Sequence, residues 1–244
     1  MYSFDSRVRY SETDENGSLS LLSMMDYLQD CSTFQSEDLN VGFAHLAEKH
    51  CAWWVYSWNI EILSMPVLGS RIRIATWPYR FRGVFGYRNF VIRDEEGRDL
   101  IRADSVWFFY NVEKHCPARP DNEDVVPYGM EERLPMPEMP RKMRLPDEME
   151  EMPGILVMRH HLDTNRHVNN AQYIEMARES VPAAFRLGGV WAEYRKMAVL
   201  GDTLIPFRAK TDEGWLVSLR KPDGQVCVNV LLREKNSGKQ GGEI

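Results

Sequence analysis

Long apolar runs are missing from this chain. No stretch approaches the roughly 18 residues that a membrane-spanning helix needs, so a helical membrane protein is excluded. Cysteine is scarce and unpatterned: Cys31, Cys51, Cys116 and Cys227 show neither CxxC nor metal-ligand spacing. They read as reduced thiols of a cytoplasmic protein, most of them small buried hydrophobes. Positive charge is in deficit, with 30 Lys and Arg against 36 Asp and Glu. A net charge of −6 leaves no chain-wide surface for phosphate backbones, which makes nucleic acid a poor partner. The first residues lack a basic stretch followed by an apolar one, so no secretory signal is expected. What is present is ordinary globular material. Of 244 residues 43% are hydrophobic and 27% charged, enough for one large domain or two smaller ones.

The chain repeats itself once. Asp14-Glu15-Asn16 recurs as Asp163-Thr164-Asn165, a spacing of 149, with a helix-like segment after each. The same spacing sets Asp26 on Glu175 and Asp30 on Glu179. Later the spacing falls to 132: Val67-Leu68-Gly69-Ser70 meets Val199-Leu200-Gly201-Asp202. The difference, 17 residues, places an insertion in the first copy near residues 35–49. Each copy reads as a strand, a helix and several strands. Copy one has an opening strand at 6–10, a helix at 19–35 and strands at 52–63, 71–82, 86–93 and 100–111. Copy two has a strand at 155–161, a helix at 169–187 and strands at 190–197, 203–211, 215–220 and 226–233. The β-branched and aromatic content of Ser105–Tyr110 and the alternation of Arg71–Ala75 carry these assignments. Eight prolines between 116 and 153 mark a linker lying as a strap, and 236–244 is a polar tail. The domains expected are therefore 1–115, the linker 116–153, and 154–235. A long helix followed by antiparallel strands buries its apolar faces best when the sheet curls round the helix. The expected fold is α+β, a tandem double hotdog, each half a long helix wrapped by a curved antiparallel sheet.

Chemistry concentrates in His160-His161-Leu162-Asp163-Thr164-Asn165-Arg166-His167-Val168-Asn169-Asn170. A carboxylate, an amide and an imidazole stand at alternate positions, and alternate residues of an extended segment project to one side. Asp163, Asn165 and His167 are expected to share a cleft. The amides of Val168, Asn169 and Asn170, at a helix start, would favour developing negative charge. Such a set suits acyl hydrolysis. The plainer reading makes Asp163 or Asn169 a cap and His167 a loop residue. Copy one keeps Asp14 and Asn16 but has Ser18 for His167 and Ser20 for Asn169. Divergence at those positions favours a chemical role. A metal is not expected, because adjacent strand residues His160 and His161 would face opposite ways.

Asp163-x-Asn165-x-His167-Val168-Asn169-Asn170-x-x-Tyr173 resembles the signature of acyl-acyl carrier protein thioesterases. Arg9–Asp14, Gly86–Phe90, Glu193–Lys196 and Gly201-Asp202 extend the resemblance over nearly the whole chain. It implies hydrolysis of fatty acyl thioesters on the carrier's phosphopantetheine arm, without cofactor, ending chain elongation. Asp163, Asn165 and His167 take the family's catalytic positions. The family's Glu falls on Met197 and its earlier-proposed Cys on Ala198, so both groups are absent. Either that Glu is dispensable, or Glu193 replaces it, or the site is weakened; Glu193 would stand ~13 Å away along a strand. His161 also departs from the family's frequent Asp. Water attack and attack by Asp163 stay open.

The acyl chain is expected in copy one, among Met24, Met25, Leu28, Trp53, Trp54 and Trp58, although any of these also serves as ordinary core. The acidic carrier protein is expected to dock on Arg80, Arg82 and Arg88, with Arg71 and Arg73 nearby. No membrane partner is expected, and a homodimer is open, since the double arrangement supplies internally what single hotdogs gain by pairing. The alternatives are an acyl-CoA thioesterase and a non-catalytic acyl-binding protein.

Overall fold

A computed structural model describes residues 1–140 and 142–235. The tail, 236–244, lies outside the described residues. The chain forms two compact units, Met1–Met139 and Pro140–Ile244. The boundary falls inside the proline-rich segment, so each unit takes part of it.

Unit 1 contains β1 (Tyr2–Arg7), α1 (Leu21–Asp38), α2 (Phe43–Glu48), β2 (Cys51–Ile62), β3 (Arg71–Arg82), β4 (Phe85–Arg93), β5 (Asp99–Asn111), β6 (Cys116–Pro117) and α3 (Asn122–Val125). The strands form an antiparallel sheet in the order β1-β3-β4-β5-β2, with β6 paired to β5. Helix α1 begins where Ser20 caps it, its hydroxyl accepting the Ser23 amide at 3.1 Å. Met24, Met25, Leu28 and Cys31 are fully buried along the helix. Burying side chains of this size contributes about 1.5–3 kcal/mol each. Cys31 packs on β3 with its thiol directed at the Ile74 carbonyl, and burial pushes that thiol up to about 12.

The other face of this sheet is covered by the proline-rich strap. The Trp77 indole donates to the Glu132 carbonyl (2.8 Å), and the Leu134 amide donates to Asn89 Oδ1 (2.8 Å). Leu134 packs on Ala75, Trp77 and Val91. Asp104, 9% exposed, accepts from Arg133 Nη2 at 2.8 Å and from the Tyr79 hydroxyl at 3.0 Å. The segment also holds β6, α3 and a 3-10 turn at Val126–Tyr128, more order than a plain linker.

Unit 2 contains β7 (Glu150–Glu151), β8 (Ile155–Leu156), α4 (Asn170–Glu179), β9 (Leu187–Tyr194), β10 (Thr203–Thr211), β11 (Gly214–Arg220) and β12 (Val226–Glu234). Its antiparallel sheet runs β9-β12-β11-β10-β7, with β8 also on β10. Helix α4 packs on β11 and β12. It stops at Glu179, short of the expected 187, because Pro182 cannot continue a helix. The first opening strand lies earlier than expected, at Tyr2–Arg7, and the second is shorter, at Ile155–Leu156. Tyr10–Glu12 and Arg159–His161 are 3-10 turns rather than strand. His160 and His161 therefore do not face opposite ways on a strand; their rings lie 4.0 Å apart.

The duplication repeats bond by bond. The Asp14 amide donates to the Ser18 carbonyl as the Asp163 amide donates to the His167 carbonyl, both at 2.8 Å. Leu19 donates to Pro66 as Val168 donates to Ala198, and Val8 to Ser70 as Val157 to Asp202. Gly69 and Gly201 take left-handed φ of +83° and +86° at matching turns. The extra length of copy one is the longer α1 and all of α2.

Candidate active site

Residues 162–168 fold back as a tight loop whose ends, Leu162 and Val168, bridge each other. Asp163 organises it. Its Oδ1 accepts the Asn165 amide at 2.8 Å and the His167 amide at 3.2 Å. Its Oδ2 takes a longer bond, 3.4 Å, from Asn165 Nδ2. Arg166 closes the loop with φ +62°, where copy one has Gly17 at +73°. Asp14 makes the same two amide bonds, to Asn16 (2.9 Å) and Ser18 (3.0 Å). The Asp-x-Asn element is thus a turn device in both units. What unit 2 adds is the imidazole. His167 is half-buried and its backbone bridges Val199, while Asn165 is exposed at the tip. The three side chains share one turn, with the amide and carboxylate in contact.

The helix start differs from expectation. The Val168 amide donates to the Ala198 carbonyl (2.9 Å) and the Asn169 amide to the His161 carbonyl (2.8 Å). Neither is available to an oxyanion, because the loop closes by strand-like pairing before α4 begins. Asn169 is the N-cap, its Oδ1 accepting the Ala171 amide at 2.9 Å. It does what Ser20 does in copy one, so divergence at that pair carries no chemistry. Asn170 opens α4, and its carbonyl accepts the Tyr194 hydroxyl at 2.8 Å.

The missing family carboxylate is not replaced from β9. That strand ends at Tyr194, and the Arg195 and Lys196 amides both turn to the Cys227 carbonyl. Met197 stands in the following loop, 42% exposed, and strand alternation from Glu193 does not reach it. Glu193 is 1% exposed and bound to Arg195 Nη2 (2.8 Å) and the Met143 amide (3.3 Å). Ala198 is buried, its amide donating to the Tyr173 hydroxyl at 2.8 Å. Asp202, held below the usual carboxylate range by Lys221 at 2.8 Å, fixes this loop by accepting the Val199 amide. The offset that aligned Gly201-Asp202 with Gly69-Ser70 was the signal for that role.

In unit 1 the expected acyl lining divides. Met24, Met25, Leu28 and Trp58 are fully buried. Trp53 lies against Phe109 (4.9 Å) and Phe81 (6.0 Å). Trp54 stacks on Tyr110 at 3.9 Å on the opposite face and leaves the set. A bulge between Val55 and Ser57 lets Trp53 and Trp58, five positions apart, share a face. Arg80 and Arg82 are exposed. Arg88 is not a docking residue: it is 8% exposed and points inward, on the face that its pairing with Pro78 and Ser105 gives it. Among the described residues no group of His, Cys, Asp or Glu could hold a metal ion.

Two hotdog-like units in one chain, the second with a polar Asp-Asn-His turn, define the thioesterase class of this fold. The structure superposes on an acyl-ACP thioesterase of Bacteroides thetaiotaomicron with a TM-score of 0.87, over 96% of this chain and 97% of that one, at 23% identity. The acyl-ACP thioesterase N-terminal domain model matches residues 1–128, and the C-terminal domain model matches 145–207. The chain belongs to the acyl-ACP thioesterase family. It is 26% identical to oleoyl-acyl carrier protein thioesterase 1 of Arabidopsis thaliana over 84% of this chain. It is 25% identical to an acyl-[acyl-carrier-protein] hydrolase of Cuphea viscosissima over 96%. The chain spans 63% of the length of each of these plant relatives.

Proposed function

We propose that this protein hydrolyses fatty acyl-acyl carrier protein thioesters to free fatty acid. The observation that carries the reading is the duplicated turn: the two copies share the aspartate scaffold, and unit 2 alone adds an imidazole, His167, beside it. Family membership supports the substrate class. Asp163 has both oxygens engaged, which favours attack by water over attack by the carboxylate. His167 takes the proton from that water and passes it to the departing thiolate. Asn165 gives one amide hydrogen to Asp163 and keeps a second for the thioester oxygen. The acyl chain is assigned to the interior of unit 1, among Met24, Met25, Leu28, Trp53 and Trp58. Carrier docking is assigned to exposed cations. In unit 1 these are Arg80 and Arg82; in unit 2, separately, they are Arg159, Arg166 and Lys196, which lie on or beside the loops that hold the motif. No helix among the described residues is long and apolar enough to cross a membrane. With all four cysteines unpaired, we assign the cytoplasm.

The test is steady-state hydrolysis of matched acyl-carrier protein and acyl-CoA substrates. Turnover is expected on both, with higher kcat/KM on the carrier protein. Equal or higher kcat/KM on CoA would move the assignment to an acyl-CoA thioesterase. Absence of turnover on either would leave a binding protein.

A further inference from the structure

Unit 1 buries a guanidinium without a counter-ion. Arg88 on β4 is directed at α1, where its Nη1 donates to the Gln35 carboxamide oxygen and, at 3.1 Å, to Thr76 Oγ1. The Tyr128 ring lies 5.1 Å from its Cζ. No carboxylate among the described residues pairs with it, and its Nε and Nη2 make no hydrogen bond there. A buried charge without a partner is costly, and buried charges are normally paired. Burial pulls this arginine down to about 10. Placement near the C-terminal end of α1 offsets only part of that cost.

A second donor stands in the same row. Arg88 and Trp58 both pair with Ser105, from opposite sides of β5, so they project from the same face two strands apart. The Trp58 indole N–H is buried and has no hydrogen-bond partner among the described residues. Ser105 between them gives its hydroxyl hydrogen to the Arg88 carbonyl (3.2 Å) and accepts the Trp107 indole (2.7 Å). Around them the face is apolar: Phe90 lies 4.9 Å from the Trp58 ring, and Met24, Met25 and Leu28 are on the facing helix. One fully buried, unanswered donor, the Trp58 indole, in the same row as a guanidinium that no carboxylate neutralises calls for an acceptor from outside the chain.

We propose that Arg88 and Trp58 form a recognition point for an oxygen-bearing group on the acyl chain itself, a terminal or near-terminal hydroxyl, oxo or carboxylate. This rests on the reading that unit 1 holds the acyl chain. A methyl end reaching this point leaves the guanidinium unanswered, whereas an oxygen satisfies it. The protein then selects oxygenated chains at the length that brings the oxygen to Arg88.

The test uses the wild-type protein first. Calorimetric binding is measured for three series of equal length, from octanoate to hexadecanoate: methyl-ended acids, ω-hydroxy acids and α,ω-dicarboxylates. At one chain length the oxygenated ligands should bind roughly ten- to a hundredfold tighter than the methyl-ended one, the range for a hydrogen bond to a charged group. The advantage should fall several-fold in Arg88→Gln and in Trp58→Phe, both confirmed folded by circular dichroism. Hydrolysis of the corresponding thioesters should follow the same order. Equal binding of all three series at every length would overturn the proposal while leaving the thioesterase reading intact. Failure of every acid to bind, with no thioester hydrolysed, would instead remove the acyl reading on which it stands.

Discussion

At the scale of single residues, the two Asp-x-Asn turns act as each other's control. Asp14 and Asp163 make the same amide bonds, so a carboxylate in this turn has a folding role in both units. His167→Ala is expected to lower kcat by about a hundredfold or more, and Asn165→Ala by about tenfold through lost orientation of the thioester. Asn16→Ala, the same change in unit 1, should leave kcat unaltered. Steady-state kinetics on one acyl-carrier substrate reads all three, and equal losses in Asn16→Ala and Asn165→Ala would make the amide structural. Met197 is exposed in the loop that pairs with His167, two residues from Val199. Met197→Glu should raise kcat about tenfold if water activation limits the rate. His161 carries a pH dependence. Its Nδ1 accepts the Met158 amide at 3.0 Å, as Glu12 accepts the Arg9 amide, and only an unprotonated nitrogen can do so. Burial, with His160 beside it, lowers its pKa. A base with a lowered folded pKa stabilises above its unfolded value and loses that contribution as pH falls through the folded one. Thermal midpoints should therefore drop on acidification below about pH 6. His161→Glu, which restores the residue of copy one, should flatten that drop.

At the scale of elements, caps and bulges decide more than the periodicity reveals. Asn169 and Ser20 hold the same cap position, and the carbonyls of His161 and Glu12 receive their amides. Asn169→Ala is expected to cost about 1 kcal/mol in urea unfolding. Asn169→Ser should be near neutral in both stability and turnover, and a large loss of turnover in that variant would return Asn169 to the catalytic set. The strands were legible because their β-branched and aromatic runs are long: Arg71–Arg82 and Thr203–Thr211 lie where alternation puts them. What alternation does not carry is a bulge. One extra residue between Val55 and Ser57 reverses the facing of every residue beyond it, which separates Trp54 from Trp58. Another between Pro78 and Arg80 reverses the facing of Arg80 and Arg82, which separates these surface cations from the inward-facing Arg88 on the neighbouring strand. Hydrophobic period is blind to such shifts, because both faces of this sheet are covered. The motif was legible as a cluster, since its chemistry is local. The use of its amides was not, because the partners, His161 and Ala198, belong to neighbouring turns.

At the scale of the whole molecule, the proline-rich segment works as a clasp as much as a connection. Its prolines cannot donate to a strand ladder. It is held instead through Glu132, Leu134 and Arg133, which meet Trp77, Asn89 and Asp104 on the covered face of the first sheet. Asp104 is the costly member. Burial pushes its carboxyl above the usual range, and Arg133 and Tyr79 offset only part of that. Arg133→Met removes the cation and leaves a buried carboxylate with one neutral donor, a loss of about 2 kcal/mol. The strap should then be cut by thermolysin near Leu134 under conditions where the parent resists. The pH dependence identifies the cause. A carboxyl whose folded pKa is raised is best accommodated protonated, so its contribution is present at low pH and is lost as pH rises through that raised value. The stability deficit of Arg133→Met should accordingly be largest at neutral pH and shrink on acidification. Adding Asp104→Asn to Arg133→Met should recover most of it at pH 7. If the deficit is flat with pH and the second change recovers nothing, the strap is held by the packing of Leu134 rather than by charge.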